Sequence, residues 1–257
     1  MSAKSVLEDW LLAVLWGADQ LTMPSGRFLN EPFETWARRH GLHRRLAQME
    51  RRELVRREKR AGQLIYALTQ PGRLAALGGK DAPPRWNRPW DGQWRQLLFD
   101  LPQHHQKVRM RLWRWLRENG FGYLQQSVWI SPDPLDEISD ALDDFRDDVE
   151  SLIVMEARCC RGYTNEAVVC GAWDFEEINR RHEGYLATAM LSAAERKRLA
   201  TSPAELGAWL RSERIAWRHA MAIDPLLPRA LWPKSYRGEA AWQARAHLYR
   251  ELAAKLP

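Results

Sequence analysis

Residues 78–89 read Gly-Gly-Lys-Asp-Ala-Pro-Pro-Arg-Trp-Asn-Arg-Pro, and neither a helical nor a strand period runs through them. Two glycines and three prolines in twelve residues make the strongest break in the chain, so the stretch reads as a linker between parts that fold separately. The two sides differ in charge. Residues 1–80 hold 14 Lys/Arg against 8 Asp/Glu, which is the whole of the net +6, whereas residues 81–257 hold 25 of each sign. Trp36 to Arg60 alone carries ten basic residues against Glu50, Glu53 and Glu58. A focused basic patch on an otherwise neutral chain points to a polyanionic partner; a solvated helix face is the plainer alternative. A hydrophobic fraction of 45% over 257 residues argues against wholesale disorder.

Several classes drop out early. The longest apolar run, Trp10 to Trp16, is far shorter than the ~20 residues a membrane span needs. No small-residue cleavage site follows it, so no signal peptide is read, no membrane partner is expected, and a cytoplasmic location is the default. Three cysteines, two of them adjacent, do not make a disulfide framework.

The pattern before the linker is three helices and a hairpin. Val6 to Gly17 and Pro32 to His40 have helical apolar spacing, and Asn30 is placed to cap the second. Leu42, Leu46 and Met49 mark one face of a third helix. Leu54 and Val55 open a strand, Ala61-Gly62 turns it, and Leu64, Tyr66 and Leu68 alternate in the return. Three helices followed by a two-stranded hairpin predict a winged helix-turn-helix. After the linker, the expected order is strand (94–101), helix (106–119), strand (123–130), helix (135–149), and strands at 152–155 and 168–170. That order suits a ferredoxin-like sheet with its helices on one face. The two helices carry opposite charge: Lys107, Arg109, Arg111, Arg114 and Arg117 against seven Asp/Glu between Asp136 and Asp148, so mutual pairing accounts for both. From Trp173-Asp174 onward the chain reads as helical, with capping boxes at Ser192–Glu195 and Ser202–Glu205.

If Leu46 and Met49 face inward, His43, Arg44, Arg45, Gln48, Arg51 and Arg52 project outward from the third helix. These side chains suit phosphates and base edges, Arg reading guanine and Gln adenine. Arg56, Arg57, Lys59 and Arg60 would sit near the hairpin tip, where a wing meets the backbone or the minor groove. A winged helix used only as a scaffold for other proteins remains open. His104-His105 after Asp100 invites a metal reading, but adjacent histidines diverge and no further ligand follows at a metal spacing, so no metal is expected. Cys159-Cys160 and Cys170 read as buried thiols on strands, and His182, His219 and His247 as isolated residues on helices. No phosphate-binding loop, nucleophile elbow or zinc-protease motif occurs; no catalytic residue and no cofactor are assigned.

Seven segments then carry a resemblance: Trp90-Asp91-Gly92-Gln93-Trp94, Leu98-Phe99-Asp100-Leu101-Pro102, Arg109-Met110-Arg111-Leu112-Trp113, Gly120-Phe121-Gly122-Tyr123-Leu124, Val128-Trp129-Ile130-Ser131-Pro132, Ala172-Trp173-Asp174 and Asp224-Pro225-Leu226-Leu227-Pro228. In order and type they resemble the phenylacetic acid degradation repressors, the PaaX family of transcriptional regulators. The resemblance implies a homodimeric bacterial repressor with a winged helix, a ferredoxin-like middle and a helical end, released in its best-known members by phenylacetyl-CoA. Where the family commonly has an Arg-Thr-Ala-Leu-Ser-Arg-like stretch, this chain has Gly41-Leu42-His43-Arg44-Arg45-Leu46, so operator and effector are not carried over. The middle part is also similar to small ferredoxin-like CRISPR-associated nucleases, with Asp100 at the end of the first strand.

The reading is therefore an α+β multidomain chain. Residues 1–79 are the winged helix, 80–92 the linker, 93–173 the ferredoxin-like domain and 174–257 the helical domain. Its expected partners are double-stranded operator DNA, a second copy of itself, and a small acidic effector such as an aryl-CoA thioester. Arg158, Arg161, Arg180 and Arg181 flank the boundary where that effector is expected. The competing functions are a divalent-metal nuclease and a protein-interaction scaffold.

Overall fold

The computed structural model describes residues 43–60, 63–100, 105–135, 142, 145, 151–201 and 203–254. The expected helices at 6–17 and 32–40, the turn at Ala61-Gly62 and most of the acidic helix lie outside the described residues. The chain is α+β and divides into two compact units, each assembled from separated stretches. One takes the described residues up to Asp81, then Arg181–Ala222 and those from Arg237 onward; the other takes Ala82–Arg180 and Ile223–Tyr236.

The first unit begins with helix α1 (His43–Arg51), whose Leu46 and Met49 are fully buried, three residues apart on one face. The helix closes with paired bonds: Leu54 N–H reaches Met49 O at 2.9 Å and Glu53 N–H reaches Glu50 O at 3.0 Å. Strands β1 (Val55–Arg60) and β2 (Gln63–Leu68) form an antiparallel hairpin, from Val55 opposite Leu68 to Arg60 opposite Gln63. Thr69 then ties strand to helix. Its N–H donates to Leu54 O at 3.1 Å, its hydroxyl donates to Glu53 O, and its oxygen accepts Gly72 N–H at 3.1 Å, capping α2 (Gln70–Ala76). Gly72 packs so tightly there that an added Cβ would stand 1.8 Å from Leu54 O.

The remaining helices of this unit are α6 (Phe175–Ala189, from Arg181 on), α7 (Ala193–Thr201), α8 (Pro203–Ala222) and α9 (Gly238–Ala254). The box at the start of α7 is made as its sequence predicts: Glu195 N–H donates to Ser192 Oγ at 3.2 Å, and Ser192 N–H donates to Glu195 Oε2 at 2.8 Å. Where these helices meet, they bury a charged cluster. Glu213 accepts from Arg245 Nε (2.7 Å), Tyr185 OH (2.8 Å) and Tyr249 OH (2.6 Å). Arg245 also lies 4.8 Å over the rings of both Trp217 and Tyr249. The last carbonyls of a helix have no partner within it. At the end of α2 they are taken by this cluster: Arg245 Nη2 donates to Ala76 O (3.3 Å) and Trp217 Nε1 to Leu77 O (2.8 Å).

The second unit is built on a four-stranded sheet of order β4-β5-β3-β6, every pair antiparallel. Its strands are β3 (Trp94–Asp100), β4 (Gly122–Gln125), β5 (Val128–Ser131) and β6 (Ser151–Ala157), with helix α4 (Gln106–Glu118) after β3. This is the strand order expected of a ferredoxin-like sheet. Leu97 and Phe99 pack on one face with Leu112, Leu116, Phe121 and Trp129, joined by Leu142 and Phe145. Trp94 and Ile130 pack on the other with Val169, Ala172, Trp173, Phe175, Ile178, Leu227 and Leu231. Helix α4 ends with the same closure as α1, but its left-handed residue is Gly120 (φ +81°), where α1 uses Glu53 (φ +56°).

Three expectations needed correction. Val168-Val169-Cys170 is not a strand but part of helix α5 (Asn165–Ala172), because Thr164 accepts Ala167 N–H at 3.1 Å and starts a helix that two valines disguise. The strand expected over 123–130 is two, broken at Gln126-Ser127, with Gln126 at φ +40°. The cysteines are not buried thiols: Cys160 and Cys170 are exposed, and half-buried Cys159 bonds Asn165 Oδ1 at 3.2 Å. In the Gly/Pro-rich stretch the structure has helix α3 (Ala82–Trp86), with Pro83 and Pro84 in a first turn that needs no N–H donors. Trp86 there is buried against Trp232 and Tyr236, at ring distances of 5.4 and 6.2 Å.

Candidate nucleic-acid interface

With Leu46 and Met49 turned inward, the face of α1 that carries Arg44 and Arg51 is exposed, as is Arg52 just beyond it; Gln48 is half-buried. His43 and Arg45 belong to the same helix. On β1, Arg56 and Arg57 are exposed, while Lys59 and Arg60 stand opposite Leu64 and Gln63 at the tip end of the ladder. Helix and hairpin are consecutive and share the Met49–Leu54 bond, so the expected cations are brought onto one local assembly.

One side-chain contact bridges helix and hairpin. Arg57 donates twice to Glu50, Nε to Oε1 at 2.8 Å and Nη2 to Oε2 at 2.7 Å. That planar, two-pronged geometry is specific to arginine. The guanidinium holds the Glu50 carboxyl below its ordinary range through these hydrogen bonds. Glu50 is the residue that sequence reasoning missed, since it counted only as a subtraction from the positive charge. Nothing in a linear sequence marks two opposite charges seven positions apart across a helix–strand corner. Arg57 is thereby a positioning group as well as a cation, and Arg56 lies 3.4 Å from Glu58.

The arginines expected around an effector have separate settings. Arg158 and Arg161 follow β6, both exposed, with no ion-pair partner among the described residues. Arg180 is held by Glu177 (Nε to Oε2, 2.7 Å), and Arg181 donates to His219 O at 3.3 Å. Asp100 is exposed at the end of β3, and His104 lies outside the described residues. Among the described residues no three His, Cys, Asp or Glu side chains gather as a metal site would require. Among the described residues no helix is long and apolar enough to cross a membrane.

The motif segments build the second unit. Arg95 is almost wholly buried, doubly bonded to Asp91 (2.9 and 2.6 Å) and 3.2 Å from Glu156; its pKa is raised chiefly by the Asp91 bonds. Arg88 bonds both oxygens of Asp133 and the carbonyl of Leu226, and burial lowers its pKa. Asp224 takes Leu226 N–H at 2.8 Å and Tyr236 OH at 2.7 Å, so Asp224 to Pro228 is a buried turn closing the core.

Fold and motifs together define an α+β protein with a small split-βαβ middle and helices after it. Residues 87–169 match the family model of the PaaX protein central Cas2-like domain, and residues 173–256 match that of the PaaX-like protein C-terminal domain. The chain belongs to the PaaX family of transcriptional regulators. A solved structure of an uncharacterized Mycobacterium tuberculosis protein, Rv0674, has a similar fold, with a TM-score of 0.51 at 20% identity over 84% of this chain and 82% of that one. No curated protein is significantly similar in sequence.

Proposed function

We propose that this chain is a DNA-binding transcriptional repressor whose basic helix–hairpin is a winged helix-turn-helix. In this reading α1 enters the major groove, presenting Arg44, Arg45, Gln48 and Arg51, and the hairpin follows the flanking backbone with Arg56, Lys59 and Arg60. The observation that carries it is the α1 face bearing Arg44 and Arg51, exposed while Leu46 and Met49 are buried, with Glu50 bridging to Arg57 of the hairpin. Family membership supports the regulator class, and the neutral balance of residues 81–257 supports one dedicated basic head. Two copies bind the two halves of an operator, and a small acidic ligand that prefers the DNA-incompetent form of the dimer relieves repression.

A salt titration of binding to the promoter of the chain's own gene cluster tests this. A dimer neutralising about 6–10 phosphates loses roughly three to five decades of affinity between about 50 and 200 mM salt. Arg44→Ala with Arg45→Ala abolishes specific binding while leaving the dimer intact. A salt slope near zero, or wild-type affinity in the double variant, overturns the reading.

A further inference from the structure

The equal count of charges after residue 80 hides a division. Residues 181–222 and 237–254, which fold with the basic hairpin, hold 10 Lys/Arg against 6 Asp/Glu. Residues 82–180 and 223–236, the other unit, hold 14 against 18. The helices that share a unit with the hairpin are thus cationic as well. Their carboxylates are largely spent: Glu205, Glu213 and Glu251 stand within 3.6 Å of Arg198, Arg245 and Arg196, and Glu195 is held by Ser192 at the start of α7.

Helix α8 carries surplus charge on its outer side. Its Leu210, Glu213 and Trp217 are buried, and the opposite face, Ala208, Arg211, Ile215, Arg218 and Ala222, is exposed at alternating spacings of three and four. Arg211 and Arg218 have no ion-pair partner among the described residues. Seven positions of helix set them about 10.5 Å apart along the axis. Between them Ile215 is 64% exposed, and the alanines at either end leave no bulk to hold a partner away.

This face begins where the support of the hairpin ends. A Cβ on Gly78, in the left-handed turn after α2 (φ +80°), would stand 3.2 Å from Arg218 Cγ, so the stem of Arg218 lies along that turn. At its other end α2 is tied through Thr69 to Leu54, the residue before β1. Cations spread along an open helix face suit a chain of charges better than a single anion. An apolar side chain between two guanidiniums suits a backbone in which sugars alternate with phosphates.

We infer that the outer face of α8 is a second nucleic-acid contact: Arg211 and Arg218 take phosphates of the DNA that the hairpin binds, and Ile215 rests on the sugar between them. Resting on the DNA-binding reading above, this contact extends the footprint from the hairpin to the C-terminal helices.

Anisotropy titrations of the full chain test it, on a duplex from the promoter of its own gene cluster and on a scrambled duplex of equal length. Arg211→Gln with Arg218→Gln, which keeps a Cγ against Gly78, weakens binding to both duplexes by the same factor, at least about tenfold. The salt slope falls by about two for each bound chain, while the preference for the promoter and the melting temperature stay those of the wild type. Wild-type affinity and slope in the double variant overturn the second contact and leave α8 a solvated face. A loss confined to the promoter duplex overturns it too, because only the reading head is then disturbed. So does an equal loss in Lys197→Gln with Arg250→Gln, which removes exposed cations from α7 and α9. Should the double variant fail to fold, Arg211→Gln alone decides: its slope falls by about one, and an unchanged slope overturns the contact. A wild type that binds neither duplex overturns the DNA-binding reading itself, a result distinct from a wild type that binds and a variant that matches it.

Discussion

Two arginine–glutamate pairs hold the basic hairpin's unit together from opposite extremes of solvent exposure. Glu50–Arg57 joins α1 to β1 at the surface, its partners 31% and 49% exposed. Glu213–Arg245 joins α8 to α9 in the interior, at 0% and 1%, with two tyrosine hydroxyls completing the carboxylate. The surface pair is screened by water and salt and is worth little, whereas breaking the interior pair strands a charge that no solvent can reach. The basic face is therefore adjustable at the surface while the cluster that supports its unit is rigid.

The largest break comes from the interior. Glu213→Ala leaves Arg245 buried without its carboxylate and costs about 3–5 kcal/mol of unfolding free energy by denaturant titration. A loss under about 1 kcal/mol would make the two pairs equivalent and remove the contrast. Between the extremes lies the α2 junction. Gly72→Ala drives a methyl into the Leu54 carbonyl, and the backbone must shift, costing about 1–3 kcal/mol; wild-type stability would show the junction to be loose.

The smallest effect is at the surface. Arg57→Ala costs about 0.2–1 kcal/mol, and chiefly at low ionic strength. Its pH dependence sharpens the comparison. The Glu50 carboxyl is depressed by Arg57, so its contribution is present above its ordinary value of 4.5 and is lost as pH falls through the lower folded value. The Tyr185 and Tyr249 hydroxyls are raised well above 10.0, by burial first and then by Glu213. Their contribution is full below 10.0 and is lost as pH climbs from there toward the folded values, because the unfolded chain ionises first. Acid therefore loosens the surface pair, and alkali the interior cluster. Arg57→Ala removes part of the acid sensitivity and none of the alkaline, measured as the melting temperature against pH.

The sequence made some of this plain and hid the rest for definite reasons. Leu46 and Met49 showed the inward face of α1 because helical spacing of apolar residues is a local signal. Val168-Val169 misled because β-branched residues favour strands while one capping threonine decides otherwise. The Glu213–Arg245 cluster was invisible: its members are spread over 65 positions, from Tyr185 to Tyr249, and charged residues on helices read as solvated faces. The Asp224 to Pro228 segment was legible as a motif, but its work, a buried turn held by Asp224, depends on Tyr236 and is set only by the fold.

The bonds that finish α2 have a consequence in time. Ala76 O and Leu77 O are satisfied by side chains 169 and 140 positions downstream. A growing chain emerges from its N-terminal end at about 5–20 residues per second, so α2 waits roughly 7–34 seconds for the groups that complete it. Contacts of such long range also slow refolding. The hairpin forms early, and its anchorage is among the last things synthesis delivers.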